Sequence, residues 1–317
     1  MSDEGRNNRW TEHFRDILNQ PNPPQTYNFD DEREAIGAVD ELDVNTGDIS
    51  VEETEDAIRS LKNKKAPGLD EIPAEILKAG GRSMAEQLTR LCNDCWRQAK
   101  IPEDWRKGKA FDCIHRESLW AILSMCGIPQ VIVNVFRSLY HNSCCCVKTN
   151  TGHTGFKITT GVRQGCILSP VLFNTALDFV MRKAIKSGEA GVSWNNHGRL
   201  TDLDYADDIA LLAESDSKLQ EATSSLNQEA TKVGLRISAE KSKVMKIGIE
   251  HTPININVGT TQLENFTNFT YLGSTVSYDG DADSDIRTRI TKAAAFWFRR
   301  PSMPVRRGRC LPAPSRR

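Results

Sequence analysis

Two adjacent aspartates, Asp207 and Asp208, interrupt an otherwise apolar segment that reads RLTDLDYADDIALLAES over residues 199–215. Burying a carboxylate in such a run is energetically unfavourable unless a partner compensates its charge. The flanking apolar residues predict a hairpin of two buried strands with the aspartates at its tip. Aspartate also suits an ordinary turn, which is the alternative interpretation. A hard cation such as Mg²⁺ is the natural partner, because it is coordinated by carboxylate oxygens together with substrate phosphates.

Helices and further strands must position this hairpin. Apolar periodicity and capping signals predict helices at residues 9–18, 74–80, 84–98, 116–125, 129–140, 217–233 and 285–298, one helix after Ser50 and one long helix after GVRQG. A second hairpin is predicted within residues 143–160, and further strands within LRISAEKSKVMKIG and FTYLGSTVSYDG. Residues 102–113 show no apolar alternation, so we expect no strand there.

Two of the helices carry explicit start signals. Ser50 with Glu53 and Ser217 with Gln220 have the spacing of capping boxes, and Gly234 is a stop signal. The expected buried stripes are Ala57, Ile58 and Leu61; Leu88, Leu91 and Cys95; Leu172, Ala176, Phe179 and Val180; and Leu219, Ala222, Leu226, Ala230 and Val233.

The net charge of −1 hides an uneven distribution of charged residues. Residues 30–56 hold twelve acidic residues and one arginine, a net charge of −11, so the rest of the chain carries +10. We expect the acidic stretch to be a linker. The basic remainder favours a polyanionic partner, although solvated lysine faces explain it equally well.

Several features indicate an intracellular protein, in the cytoplasm or nucleus. No apolar run approaches the ~20 residues of a membrane span, and MSDEGRNNRW lacks the hydrophobic stretch of a signal peptide. Nine cysteines without a framework of spacings fit free thiols in a reducing compartment. Cys92 and Cys95 suggest zinc or redox chemistry. Because no second pair or histidine cluster lies at metal spacing, two thiols on one helix is the preferred interpretation.

Six segments follow one another along the chain: LKNKKAPGLDEIPAEIL, KAFDCIHRESL, GVRQGCILSPVLFNTALDFVM, YADD, GLRISAEKSKVM and FTYLGSTVSYDG. The series resembles the reverse transcriptase domain of non-LTR retrotransposons, the class that combines an endonuclease with a polymerase. The resemblance runs from Ser50 to Phe298. It implies an α+β fold, a right hand of fingers, palm and thumb with an antiparallel palm sheet and packed helices. It also implies extension of a DNA primer along an RNA template, with Mg²⁺ and deoxynucleoside triphosphates.

The resemblance implies roles for individual residues. Asp207 and Asp208 match the metal-binding, catalytic aspartates of the family. The other residues implied are Arg163, Gln164 and Gly165 in the loop that touches template and incoming nucleotide; Lys64 and Lys65 near the template backbone; Lys241 and Lys243 where a lysine assists the departing pyrophosphate; and Tyr271, Leu272 and Gly273 in the strand that grips the primer end. A solvated surface position remains the alternative for the lysines. Ser238 stands where the family often has asparagine.

The pattern breaks at Arg106. Two-metal phosphoryl transfer needs ions ~3.5–4 Å apart, and one tight turn cannot hold both. The family supplies another aspartate four residues before the alanine of its AFD element, whereas this chain has Arg106 there, ahead of Ala110. Asp112 lies six residues past that position, near the end of the strand that the family has there, and is a poor substitute. The chain runs from IPEDWRKG directly into KAFDC, so we expect the fingers hairpin and one palm strand to be missing.

We therefore predict an incomplete polymerase. Residues 1–49 are assigned to an N-terminal helix and acidic linker, 50–108 to a fingers remnant, 109–258 to a partial palm, 259–298 to primer-grip strands and the start of the thumb, and 299–317 to a basic, disordered tail. The predicted function is that of a reverse-transcriptase-like domain with impaired catalysis. The alternatives are a non-catalytic nucleic-acid-binding remnant and a chain that does not fold stably. These patterns do not predict an oligomeric state.

Overall fold

The computed structural model describes most of the chain but not all of it. The residues described are 3–36, 40–65, 67, 72–102, 105, 109–111, 113–149, 152–164, 166–185, 191–194, 198–248 and 252–298. Arg106, Asp112, Gly165 and the tail at 299–317, all singled out in the sequence, lie outside these ranges. Within them, no helix combines the length and the apolar character needed to cross a membrane.

Ten helices occur among the described residues, and the sequence predicts nine of them. In chain order they are α1 (Asp3–Leu18), α2 (Phe29–Ile36), α3 (Val51–Ser60), α4 (Ala74–Ala79), α5 (Gly81–Gln98), α6 (Arg116–Met125), α7 (Gln130–Tyr140), α8 (Ser169–Ala184), α9 (Asp216–Lys232) and α10 (Asp283–Phe298).

Strands are short and pair two by two. They are β1 (Lys109–Phe111), β2 (Cys144–Thr149), β3 (Gly152–Lys157), β4 (Val162–Gln164), β5 (Val192–Ser193), β6 (Arg199–Leu200), β7 (Asp202–Tyr205), β8 (Asp208–Leu211), β9 (Lys243–Val244), β10 (Asn257–Val258), β11 (Thr261–Gln262), β12 (Glu264–Asn265), β13 (Asn268–Tyr271) and β14 (Ser274–Ser277). Pairs β1–β4, β2–β3, β5–β6 and β7–β8 are antiparallel. Helices with small antiparallel sheets fit the predicted α+β class, although these described strands form separate pairs and not one palm sheet.

Strand β1 corrects the expectation that residues 102–113 contain no strand. Its Ala110 lies opposite Arg163 of β4, and Lys109 lies opposite Gln164. The strand is therefore specified by hydrogen bonds to a partner far along the chain, and local alternation cannot reveal such a partner.

The acidic stretch also contains a helix, so its assignment as a linker is wrong for Phe29–Ile36. Asp30, Asp31 and Glu32 occupy the first turn of α2, where the helix dipole favours negative charge. Phe29 packs on Phe179 of α8, with ring centroids 6.3 Å apart. The acids here stabilise a helix start while an aromatic residue attaches the helix to the core.

The chain divides into two compact units. The first comprises Met1–Ser238 with Asn257–Gly259, and the second comprises Ala239–Ile256 with Thr260–Arg317. The assignment of fingers, palm and thumb to particular residue ranges remains a prediction.

The main core of the first unit lies among α6, α8 and α9. The predicted stripes of α8 and α9 supply much of it, as expected from their helical spacing. Its buried members in these helices are Leu119, Trp120, Ile122, Leu123, Met125, Leu172, Ala176, Phe179, Val180, Met181, Ala184, Leu226 and Ala230.

The N-terminal segment packs onto the same unit. Asn19 donates a hydrogen bond to the Lys157 carbonyl and accepts one from the Thr159 amide, both 2.8 Å long. Tyr27 is buried and donates a short hydrogen bond to the Glu229 carboxylate on α9. This segment is thus part of the folded unit.

The predicted apolar stripes of α3 and α5 are buried only in part, since Cys95 is buried and Leu91 is exposed. Thr54 is the buried residue of α3, and its hydroxyl accepts a hydrogen bond of 2.7 Å from Thr89. Ala57, in the predicted stripe, is exposed. The Ser50 capping box is confirmed in both directions, because Ser50 and Glu53 each accept from the other's backbone N–H.

The N-cap of helix α9 lies two residues before the predicted cap. Ser215 is the N-cap and accepts from the Lys218 amide at 3.3 Å. Gln220, the expected partner of Ser217, instead accepts from the Asn257 amide at 2.7 Å and donates to its carbonyl at 3.0 Å. The capping-box prediction at Ser217 is therefore wrong, because Gln220 is occupied by a tertiary contact.

The second unit combines short strands with one helix. Strand β9 pairs with β12 in parallel, and β13 pairs with β14 in an antiparallel hairpin. Helix α10 contacts β14, and the Thr275 amide donates to the Asp285 carboxylate at 2.8 Å. The strand predicted within LRISAEKSKVMKIG is only Lys243–Val244.

Candidate active site

Asp207 and Asp208 lie at the predicted hairpin. Tyr205 of β7 pairs with Asp208 of β8, so Ala206 and Asp207 form a two-residue loop. Ala206 has a φ of 55°, in the left-handed region that costs a residue with a Cβ roughly 1–2 kcal/mol. The hairpin prediction is thus confirmed, and its turn holds strain immediately before Asp207.

The two faces of the hairpin have different surroundings. Residues directly opposite in an antiparallel pair share a face, so Asp204 lies with Ile209 and Asp202 lies with Leu211. Ile209 and Leu211 pack against the main core. Asp208, paired with Tyr205, belongs to the other face.

The outer face of β7 is solvated, which corrects the expectation of two buried strands. Leu203 is 42% exposed and Tyr205 is 63% exposed, whereas the β8 residues after Asp208 are half-buried. Only β8 therefore supplies the apolar attachment that the sequence predicts for both strands.

Asp202 and Asp204 form a second acidic pair on the core-side face. Burial raises the pKa of Asp204 to about 6, and the charge of Asp202, its hydrogen bond and the charge of Asp178 on α8 add to the effect. The pair consequently tends to retain a proton in mildly acidic solution. Because it lies on the face opposite Asp208, it does not extend the tip of the hairpin into a larger carboxylate site.

The fit to Mg²⁺ is partial. Asp207 and Asp208 are exposed and offer oxygens of the type that Mg²⁺ prefers, together with waters and substrate phosphates. Within the described ranges, no three histidine, cysteine, aspartate or glutamate side chains are arranged to hold a metal ion. The described carboxylates therefore suit one partly protein-bound ion and do not complete a two-metal site.

Arg163, predicted to touch template and nucleotide, lies inside the first unit. Its guanidinium donates to the Leu139 carbonyl at 2.5 Å and makes a shorter hydrogen bond to the Trp105 carbonyl. The group also stacks over the Tyr140 ring, 5.3 Å from its centroid. In this arrangement Arg163 braces β4 against α7. The Gln164 backbone pairs with β1.

Sequence reasoning missed Arg116 and Tyr140, which hold the same strand. Arg116 donates to the carbonyls of residues 140, 158, 160 and 161 at 2.9–3.1 Å. Burial, together with the nearby Arg163 charge, lowers the pKa of Arg116 to about 10, so it stays protonated near neutral pH. The buried Tyr140 hydroxyl accepts from the Arg163 amide at 3.4 Å. An arginine at a helix start resembles a solvated residue, so only the fold reveals this role.

Lys64 and Lys65 are exposed and lie between α3 and α4, also in the first unit. Lys64 has a φ of 59°, and its backbone amide donates to the Glu75 carboxylate at 2.6 Å. The backbone at Lys64 is thus held by a side-chain acceptor, and both lysine side chains are exposed.

The remaining predicted residues belong to the second unit. Lys241 is exposed just before β9, and Lys243 is exposed on β9 with its ammonium 3.8 Å from the centroid of the Phe266 ring. Tyr271 ends β13, and Leu272 and Gly273 form the turn with φ angles of 48° and 84°. Positive φ at both positions is the pattern of a type I′ hairpin turn. The exposed Leu272 side chain projects from that turn.

Comparison with known proteins gives a family match. The family model described as reverse transcriptase (RNA-dependent DNA polymerase) matches residues 107–276, which is more than half of the chain. The match includes β4, the hairpin with Asp207 and all of the predicted primer-grip turn.

Similar proteins are polyproteins of retrotransposable elements. The retrovirus-related Pol polyprotein from type-1 retrotransposable element R2 of Nasonia vitripennis is 30% identical over 177 residues, 52% of this chain and 17% of that protein. The corresponding type-2 element R2DM protein of Drosophila melanogaster is 30% identical over 151 residues, 46% of this chain and 13% of that protein. The chain thus spans less than a fifth of the length of these relatives. The chain belongs to the reverse transcriptase family, as a domain of the non-LTR retrotransposon type.

Proposed function

We propose that this domain binds an RNA template and a DNA primer but is impaired in adding nucleotides. The observation that carries the proposal is the hairpin geometry. Asp207 and Asp208 lie at an exposed tip, whereas the nearby acids Asp202 and Asp204 lie on the opposite face. Two-metal catalysis requires ligands that surround both ions, and a single turn supplies too few.

The sequence around Arg106 supports the same proposal. By family resemblance a carboxylate is expected at this position, and an arginine there repels a cation instead of binding it. The family match begins at residue 107, beside the expected junction between IPEDWRKG and KAFDC. We therefore propose that a segment carrying the missing carboxylate is absent between Gly108 and Lys109.

Binding of nucleic acid is proposed from charge and exposure. Outside residues 30–56 the chain has a net charge of +10, and Lys64 and Lys65 are exposed, with the Lys64 amide bound to the Glu75 carboxylate. Lysines of this kind neutralise phosphates and release counterions without reading base sequence. The expected ligand is an RNA–DNA hybrid or a single strand of either type.

Primer extension tests the catalytic part of the proposal. The chain is incubated with a primed RNA template, Mg²⁺ and the four deoxynucleoside triphosphates, alongside Asp207→Ala. We expect the two proteins to give equally low synthesis. Robust template-dependent synthesis that is lost in Asp207→Ala would overturn the proposed impairment.

Measuring affinity as a function of salt concentration tests the proposed binding of nucleic acid. The affinity for a labelled RNA–DNA hybrid is expected to fall steeply with salt and to vary little with sequence. Weak binding that does not change with salt would contradict the proposed binding through phosphate contacts.

A second candidate is a remnant that binds nucleic acid and has no polymerase activity at all. The inward-facing guanidinium of Arg163 favours it, since this residue braces β4 in place of facing a substrate. Residual synthesis that depends on Asp207 would exclude this candidate.

A further inference from the structure

The loop between α3 and α4 carries three lysines within four residues. Lys62, Lys64 and Lys65 are all exposed, and Asn63 lies between them. In the described part of the chain, no salt bridge joins these three ammonium groups to a carboxylate. Their charges therefore remain available to an external anion.

Side chains at both ends of helix α4 make hydrogen bonds to this loop. In its first turn, the Glu75 carboxylate accepts from the Lys64 backbone amide at 2.6 Å. In its last turn, the Lys78 ammonium donates to the Leu61 carbonyl at 2.6 Å and to the Asn63 side-chain oxygen at 2.8 Å. Lys78 is thus directed into the loop, whereas the side chains of the other three lysines are exposed.

The conformation of Lys64 explains why such anchors are needed. Its φ of 59° lies in the left-handed region, which lysine rarely adopts without support. The hydrogen bond to Glu75 fixes this residue, and the backbone contact lowers the pKa of Glu75, so the acceptor is charged at neutral pH. A charged acceptor gives a stronger hydrogen bond than a neutral one.

We propose that Glu75 is a positioning residue, which holds the Lys62–Lys65 loop in the shape that contacts the phosphates of a nucleic acid backbone. The inference rests on the proposed nucleic-acid binding. Fixing a loop before binding reduces the conformational entropy that association must overcome. An acidic residue, which on its own repels phosphates, thereby favours their binding.

Two variants of Glu75 separate positioning from charge. Glu75→Ala and Glu75→Gln both remove one negative charge, so electrostatics alone predicts that both bind nucleic acid more tightly, and equally so. Glutamine keeps an oxygen that accepts from the Lys64 amide, and alanine does not. With the full chain and a labelled RNA–DNA hybrid, we expect Glu75→Ala to bind about two- to tenfold more weakly than Glu75→Gln, the range for one hydrogen bond.

Hydrogen exchange at the Lys64 amide reports on the anchor independently of binding. Exchange should be faster in Glu75→Ala than in the parent chain, and Glu75→Gln should restore much of the protection. Equal exchange in all three proteins would overturn the anchoring role, even if a variant is less stable.

A double substitution distinguishes the two levels of the proposal. Lys64→Ala with Lys65→Ala should reduce the slope of log affinity against log salt by roughly 0.9 for each phosphate that is no longer neutralised. An unchanged slope would contradict the proposed binding of this loop to nucleic acid. A reduced slope, combined with equal affinities for Glu75→Ala and Glu75→Gln, would leave nucleic-acid binding in place and overturn the positioning role.

Discussion

At the scale of single residues, the turn that holds Asp207 depends on an alanine in an unfavourable conformation. Ala206 has a φ of 55°, a region that glycine occupies without steric cost. We predict that Ala206→Gly raises the free energy of unfolding by about 1 kcal/mol. Relief of the left-handed strain in the folded state outweighs the conformational entropy that glycine adds to the unfolded chain.

Ala210, in β8 of the same hairpin, is the matched control. It lies within a strand opposite Leu203, so Ala210→Gly should lower the free energy of unfolding by about 0.5–1 kcal/mol. Urea denaturation of both variants measures the difference. Equal destabilisation by the two glycines would show that the turn at Ala206 is not strained.

His115 gives a prediction of pH dependence. Its Nδ1 caps α6, accepting from the Ser118 amide at 3.4 Å and contacting the Ser118 hydroxyl at 2.8 Å. Burial lowers the pKa of His115 below its ordinary value of 6.5, although the nearby Glu117 partly offsets this. The folded state thus binds fewer protons than the unfolded state. The resulting stability is fully present above pH 6.5 and is lost as the pH falls through that value towards the lower folded pKa.

His115→Asn isolates this effect, since asparagine is also a good N-cap and does not titrate. The difference in unfolding free energy between the parent chain and His115→Asn should change between neutral and mildly acidic pH. A constant difference would contradict the assigned cap.

The sequence locates some residues of the candidate site and misses others for a physical reason. Asp207 and Asp208 can be recognised in the sequence because two unpaired charges in an apolar segment are energetically unfavourable, which indicates a role at an exposed or metal-binding position. Arg116 is not, because its acceptors are carbonyls of residues 140, 158, 160 and 161, which only folding brings together.

At the scale of elements, the start of α9 tests whether tertiary contacts outweigh a local motif. Ser215 caps the helix, and Gln220 binds the Asn257 backbone. We predict that Ser215→Ala lowers the free energy of unfolding by about 1 kcal/mol, while Ser217→Ala changes it by much less. Thermal or urea unfolding measures the effect of each substitution. A larger loss of unfolding free energy for Ser217→Ala would support Ser217 as the cap and contradict the assignment of Ser215.

Most helices could be predicted because their signals are local. The Ser50 capping box and the stripe from Leu172 to Val180 lie within single elements. Strand β1 and the polar contact between Thr54 and Thr89 could not, because each depends on a partner that is distant in sequence. The same limit explains why α2, whose Phe29 packs on Phe179, resembles a linker in the sequence.

At the scale of the whole molecule, residues that precede the family match contribute to the core of the matched part. Tyr27 is buried between α8 and α9, with an edge-on contact to Phe179 and the Lys232 ammonium 4.9 Å from its ring centroid. We predict that Tyr27→Phe lowers the free energy of unfolding by about 1 kcal/mol through loss of the Glu229 hydrogen bond.

Tyr27→Ala should be far more damaging, by about 3–5 kcal/mol, because it also leaves a cavity in the core. Chemical denaturation of both variants, followed by tryptophan fluorescence, measures the two effects. If Tyr27→Ala were no worse than Tyr27→Phe, the N-terminal segment would not be packed onto the helices as described.

The family relation and the site geometry lead to different expectations for polymerase activity. Members of a polymerase family are expected to synthesise DNA, whereas the described carboxylates supply only Asp207 and Asp208 at an exposed tip. Primer extension on an RNA template with Mg²⁺, comparing the chain with Asp207→Ala, tests the claim most directly. The predicted result is the same low synthesis from both proteins, and robust synthesis that disappears in Asp207→Ala would contradict it.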